Sequence, residues 1–229
     1  LSITLTSYSQ SKFSKKKTSQ ESTGYTINGQ VEGLQDTSVI LAYYFGGKQY
    51  ATDTAQSING KFTFKGEKIL KGGMYLVVLP NQQYFDVIIS ENRFSFSTKL
   101  NDLIGAMTFN NSKENTPFYS YLNFITKMQK EVAPIRQKME SATGKEKENL
   151  QVIAKEIDKK VKNYRINFME ENADVFFTKI IQATTEMEIP ESPLDSTGQP
   201  DKTFPYRFYK KHFWDNIDFS DQRMLRTPI

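Results

Sequence analysis

The sequence predicts an α+β chain in which an antiparallel β-sandwich or open barrel is followed by a helical hairpin or bundle. Three observations carry that reading. From Tyr25 to about Thr98 apolar and polar residues alternate with period two, and Gly, Pro and Asn-Gly punctuate the runs at near-regular intervals. After Asn115 the period becomes helical, and two apolar seams follow one another across the short break "SATGK". At 229 residues, with 38% hydrophobic and 13% aromatic side chains and no cysteine, the chain has material for real cores and no disulfide staples.

The elements follow in chain order. "LSITLTSYSQ" is expected to be the tail of a secretory signal peptide ending at Ser7-Tyr8-Ser9, or else a short strand or a tag. Ser11 to Gly24, rich in hydroxyls and lysine, is a flexible linker, so residues 1–24 stand apart from the folded body. "YTINGQV" then places Tyr25, Ile27, Gly29 and Val31 on one side of a strand. "TSVILAYYF" is more continuously apolar, as in a strand buried on both faces, and Gly46-Gly47 ends it. In "KQYATDTAQSINGKFTFKG" the pair Asn59-Gly60 suits a type I′ turn, which needs positive φ at both central residues. That turn is expected to pair Ala51–Ile58 with Lys61–Lys65 and to set Phe62 and Phe64 on one face. "GMYLVVLP" closes at Pro80, and "YFDVIIS" with "RFSFST" is expected to form a last hairpin across Glu91-Asn92. The β domain spans 25–112 and the helical domain 113–229.

In the helical part Thr116 can cap, Pro117 fits a first turn, and Phe118, Tyr121, Ile125, Met128, Val132, Ile135 and Met139 repeat at alternating three and four. Pro134 is expected to kink or split this helix. Leu150, Ile153, Ile157, Val161, Tyr164 and Phe168 form the second seam, and the two should face each other as an antiparallel hairpin. "DVFFTKIIQATTEM" makes a third helix, capped near Asn172 to Asp174. "EIPESPLDSTGQP" is a connector, "FPYRFYKKHFWDNI" a short aromatic helix, and "DQRMLR" a last one capped by Asp218 with Asp221, or by Ser220.

Candidate chemistry is sparse. No catalytic, cofactor-binding or metal-binding residue is assigned and no cofactor is expected. The absence of cysteine removes thiolate nucleophiles, redox pairs and a lipidated N-terminal cysteine, and a single histidine removes multi-histidine metal sites. His212 and Asp215, three apart, could form an acid/base pair, but no nucleophile accompanies them. The aromatic density around them favours a packing helix, with Phe213 and Trp214 largely buried. Asp215, Asp218 and Asp221 do not alternate as calcium-loop ligands do. Glu170-Glu171 and Glu186, Glu188 and Glu191 read as solvated carboxylates, "FGGK" and "KGGM" lack phosphate-loop spacing, and Tyr43-Tyr44-Phe45 reads as strand core. Of the formal net charge of +4, residues 1–24 carry +3 through Lys12, Lys15, Lys16 and Lys17 against Glu21. The remainder is almost neutral, so no nucleic-acid partner is expected, and no stretch has the apolar length of a membrane span.

"YTINGQVEGLQDTSVILAYY", "DTAQSINGKFTFKG", "MYLVVL" and "FDVIIS" together resemble the domain of unknown function that opens many Bacteroidetes extracytoplasmic thiol:disulfide interchange proteins. The part from about Asn115 onward, above all "IPESP" and "KKHFWDNIDFSDQRMLRTPI", resembles the helical domain that follows it there. In such proteins both modules precede a thioredoxin-like domain with a Cys-x-x-Cys pair, which these residues do not contain, so no catalytic residue carries over. The resemblance implies the N-terminal part of a longer protein, cut inside the helical module, that is extracytoplasmic or periplasmic. It also implies a non-catalytic accessory role beside a downstream thioredoxin-like domain. The alternative is a free-standing extracytoplasmic binding protein for carbohydrate or peptide, with exposed aromatics in a cleft between sheet and hairpin; a hydrolase built on His212 and Asp215 is the weakest reading.

Overall fold

Eight strands and four α-helices succeed one another in the computed structural model, which describes residues 24–194 and 196–229. The expected signal-peptide remnant and most of its linker lie outside the described residues. The strands are β1 (Tyr25–Glu32), β2 (Thr37–Phe45), β3 (Lys48–Ser57), β4 (Lys61–Gly66), β5 (Gly73–Val78), β6 (Tyr84–Ile89), β7 (Arg93–Lys99) and β8 (Thr108–Asn110). They form two four-stranded sheets, ordered β4-β1-β7-β8 and β3-β2-β5-β6. The sheets share one core: Ile27, Val31 and Phe64 from the first meet Val39, Leu41, Val77, Val87 and Ile89 from the second, all excluded from solvent. Phe85 of β6 packs edge-on against Phe96 of β7 across the gap, with ring centroids 5.4 Å apart.

The predicted strands form, but two predicted hairpins do not. Asn59 and Gly60 adopt positive φ (53° and 75°), and Ile58 and Lys61 exchange both backbone bonds at 2.9 and 3.0 Å, as a two-residue turn requires. Beyond that bridge the strands separate, β3 pairing with β2 and β4 with β1. Likewise β6 pairs with β5, while β7 pairs with β1, and that ladder is parallel. Both turns are therefore corners at which the chain changes sheet. Local turn chemistry cannot reveal this, because it fixes the reversal and not the partner beyond it. β8, three residues long, escapes the pattern altogether; Phe109 faces in between Thr108 and Asn110 and joins the rings of Phe94 and Phe96.

The helices are α1 (Asn115–Ser141), α2 (Gly144–Glu171), α3 (Phe176–Thr184) and α4 (Phe204–His212). α1 and α2 pair as expected. Met128 and Val132 meet Ile157, Phe124 stacks on Tyr164 at 3.7 Å, and Tyr121 packs on Phe168. Pro134 neither splits nor ends α1, which runs unbroken from Asn115 to Ser141, and it lies on an exposed face. Thr116 is not the cap, because Ser112 Oγ accepts the Asn115 N–H; nor does Asn172 to Asp174 cap α3, whose N-terminus is closed by Glu114. From Phe109 an aromatic path runs through Tyr119, Phe118, Phe177 and Tyr121 to Phe168, so sheet and helices share a continuous core. The described residues between α3 and α4 form no further helix, and a short 3-10 turn, Gln222–Arg226, lies against β5 and β2.

Candidate functional site

His212 and Asp215 do come together. Nδ1 lies 2.6 Å from an Asp215 carboxylate oxygen, and the imidazole packs on Phe208 at 4.4 Å. Such a pair needs a nucleophile or a water held against it to do acid/base work, and none of the hydrogen bonds described supplies one. Among the described residues no three His, Cys, Asp or Glu side chains gather as metal ligands. Glu188 is an exposed partner of Lys162 at 2.6 Å, and Glu170, Glu171, Glu186 and Glu191 are exposed as well. Gly46-Gly47 is a turn between β2 and β3. Gly72-Gly73 serves close packing: a Cβ on Gly72 would meet Arg223 Cγ at 2.8 Å, and one on Gly73 would collide with Arg226.

The aspartates of the C-terminal segment work as caps and counter-ions. Asp218 accepts from Ser220 N and Oγ, and Asp221 accepts the Arg223 N–H at 3.0 Å, which starts the 3-10 turn as expected. Lys179 of α3 reaches Asp218 at 2.8 Å and Asp221 at 2.9 Å, and Arg223 grips Asp221 through Nε and Nη2. The Lys179 hydrogen bond chiefly holds the Asp218 carboxyl down at about 2, and the Arg223 hydrogen bond holds Asp221 lower still. Arg223 also lies over the Phe176 ring at 4.4 Å and reaches buried Glu114 at 3.3 Å. These charges fasten the chain end to α1 and α3, which is a structural task.

The aromatic segment departs from expectation. Phe213 is 44% exposed and Trp214 55%, not buried. Tyr209, Phe213, Trp214 and Phe219 pack edge-on or tilted against one another in turn, at 4.5 to 5.6 Å, instead of entering the main core. Beside them the end of α3 and the residues that follow it (Ala183 to Met187), together with Ile189, form the other wall of an open groove of about 580 Å³, which Ile217 and Ile229 also line. The groove is mostly apolar, and its α3 side was invisible in the sequence because it joins segments far apart in the chain. The cleft expected between sheet and hairpin is smaller, about 380 Å³, and is lined by Asp102, Lys127, Lys130 and Glu131 with no aromatic side chain. Tyr43 and Tyr44 are half-buried and Phe45 is 43% exposed, so that cluster is only partly core.

No described helix is long and apolar enough to cross a membrane. No curated protein and no solved structure matches the chain. Residues 25–118, from the start of β1 through the first turn of α1, match the model of a family described as Domain of unknown function (DUF4369).

Proposed function

We propose that this chain is a non-catalytic accessory region of an extracytoplasmic, periplasmic thiol:disulfide oxidoreductase, and that it docks a thioredoxin-like domain. The observation that carries the reading is the groove between α3 and α4. Contiguous exposed aromatics beside an apolar trough mark protein-docking surfaces, because burying them recovers solvation energy that the isolated fold leaves unused. The groove lies in the segment whose sequence resembles the module that adjoins the thioredoxin-like domain. With no cysteine in these residues, the redox pair has to come from that neighbour.

The test uses Trp214, the chain's single tryptophan, as reporter. The Cys-x-x-Cys domain encoded in the same reading frame, added in trans, should shift Trp214 emission to the blue and protect the groove from hydrogen exchange. Phe213→Ala should weaken that binding. A reading frame without such a domain, or one whose domain leaves Trp214 unchanged, removes the proposal.

A further inference from the structure

The outer face of the β4-β1-β7-β8 sheet carries a pattern that docking at α4 does not use. In the other sheet β5 is buried on both faces, with the C-terminal turn packed against it and β2. The β1 face that carries Asn28 and Gln30 is open. Register places its outward side chains in rows across the strands. The first row is Thr63, Asn28, Ser95 and Asn110; the second is Lys61, Gln30, Ser97 and Thr108. A solvated sheet face is polar whatever its role. What distinguishes this one is where the charge lies. The two central rows hold seven amide or hydroxyl side chains and one lysine, whereas the flanking rows hold Lys65 and Arg93 at one end and the Glu32–Lys99 ion pair at the other.

The face is a shallow trough of about 780 Å³, open to solvent along its length, with Gln56 of β3 at its border. From strand spacing and rise the central rows cover about 14 Å by about 7 Å. Its groups both donate and accept, and only some are used internally: Thr63 Oγ1 donates to Asn28 Oδ1 at 2.9 Å, and Ser97 and Thr108 share a bond of 2.9 Å. Among the described residues the side chains of Gln30, Ser95 and Asn110 have no hydrogen-bond partner. Beneath them the rings of Phe62, Phe64 and Phe96 interlock, so the platform is rigid and little ordering is needed on binding. We propose that this face is a binding site for a neutral, polyhydroxylated ligand, a glycan segment lying across the strands with its hydroxyls on Asn28, Gln30, Ser95, Ser97 and Asn110. A polyanion is disfavoured, since only Lys61 would meet it in the central rows; an apolar ligand would leave the amides unpaired.

Isothermal titration with maltohexaose, cellohexaose and the chitin hexamer, against heparin as a polyanion, tests the assignment. At least one neutral hexamer should give a saturable signal at millimolar concentration, and heparin none. The double variant Asn28→Ala/Gln30→Ala, at exposed positions, should melt as the native chain does and bind at least about tenfold more weakly. Trp214 emission, which reports the groove, should not move. Silence with all three neutral hexamers, tighter binding of heparin, undiminished binding by the double variant, or a response at Trp214 would each overturn the site and leave the docking proposal standing.

Discussion

The Glu114 carboxylate accepts the backbone N–H of Phe176 at 2.7 Å across 62 positions of sequence, so the residue that precedes α1 closes the start of α3. Its other oxygen takes the Ser90 hydroxyl at 3.0 Å and Arg223 Nη1 at 3.3 Å. Burial pushes this carboxyl above its ordinary range, outweighing the lowering effects of Ser90, the Phe176 amide and Arg223. Glu114→Ala strands a buried N–H and part of a guanidinium, and is expected to cost about 2–4 kcal/mol in urea unfolding. Glu114→Gln, which keeps one acceptor oxygen, should cost less. A Glu114→Ala variant within about 0.5 kcal/mol of the native chain would contradict this capping role.

The same network sets an acid limit. Asp218 and Asp221 have lowered folded pKa values, so their contribution is complete above the ordinary 3.8 and is lost as pH falls through about 2 and below. Glu114 runs the other way: its raised pKa means that protonation relieves a buried charge, so stability rises as pH falls through that value. Melting temperature against pH should therefore show a flat or slightly rising limb on mild acidification and a fall below about pH 4. In Asp221→Asn the low-pH fall should be shallower, and an unchanged slope would remove the network from the account.

Asn115 is fully buried, and its amide behaves like a short strand against β6. Oδ1 accepts the Ile88 N–H at 2.7 Å and Nδ2 donates to the Ile88 carbonyl at 2.7 Å. An open strand edge is thereby satisfied by one side chain. Asn115→Asp keeps the shape but loses the donor and buries a carboxylate, so it should destabilise more than Asn115→Ala, itself expected to cost about 1–3 kcal/mol. Hydrogen exchange at the Ile88 amide should accelerate in Asn115→Ala, which removes its acceptor.

How far these relationships were legible differs by kind. Strand and helix positions were, because period two and the three-and-four repeat come directly from backbone geometry: Ile27 and Val31 are buried as β1 predicts, and Met128, Val132 and Ile157 meet as the two seams predict. The Asp221 cap was legible for the same local reason. Strand partnership was not. Nothing in "SINGKF" says that β4 leaves β3 for β1, because that choice is made by which apolar faces close the core. Nor could the sequence join Glu114 to Phe176 or the end of α3 to Trp214, since such pairs are neighbours only after the chain has packed.

Gly29 shows a local rule overridden by packing. The strand pattern places it on the buried side of β1, where a larger residue is usual. There the rings of Phe62 and Phe96 occupy the space above it, and an added Cβ would lie 2.5 Å from Phe62 Cζ and 2.7 Å from Phe96 Cζ. Gly29→Ala, harmless by strand propensity, should therefore cost about 1–3 kcal/mol through displaced rings. Equal stability by urea unfolding would mean that the rings yield freely.

Trp214 separates aromatic density from burial. "HFWDNIDF" reads as core because aromatic stripes usually are, yet Trp214 rests on Phe213 and Phe219 with 55% of its surface in water. Because it is the only tryptophan, its emission reports this directly. The native chain should emit near the wavelength of a hydrated indole and be quenched readily by acrylamide. Trp214→Phe should change stability by less than about 1 kcal/mol, in contrast to Phe118→Ala in the main core, expected to cost about 3–5 kcal/mol. Blue-shifted, quencher-resistant emission from the isolated chain would mean that the groove is already closed, and would remove the exposed surface on which docking depends.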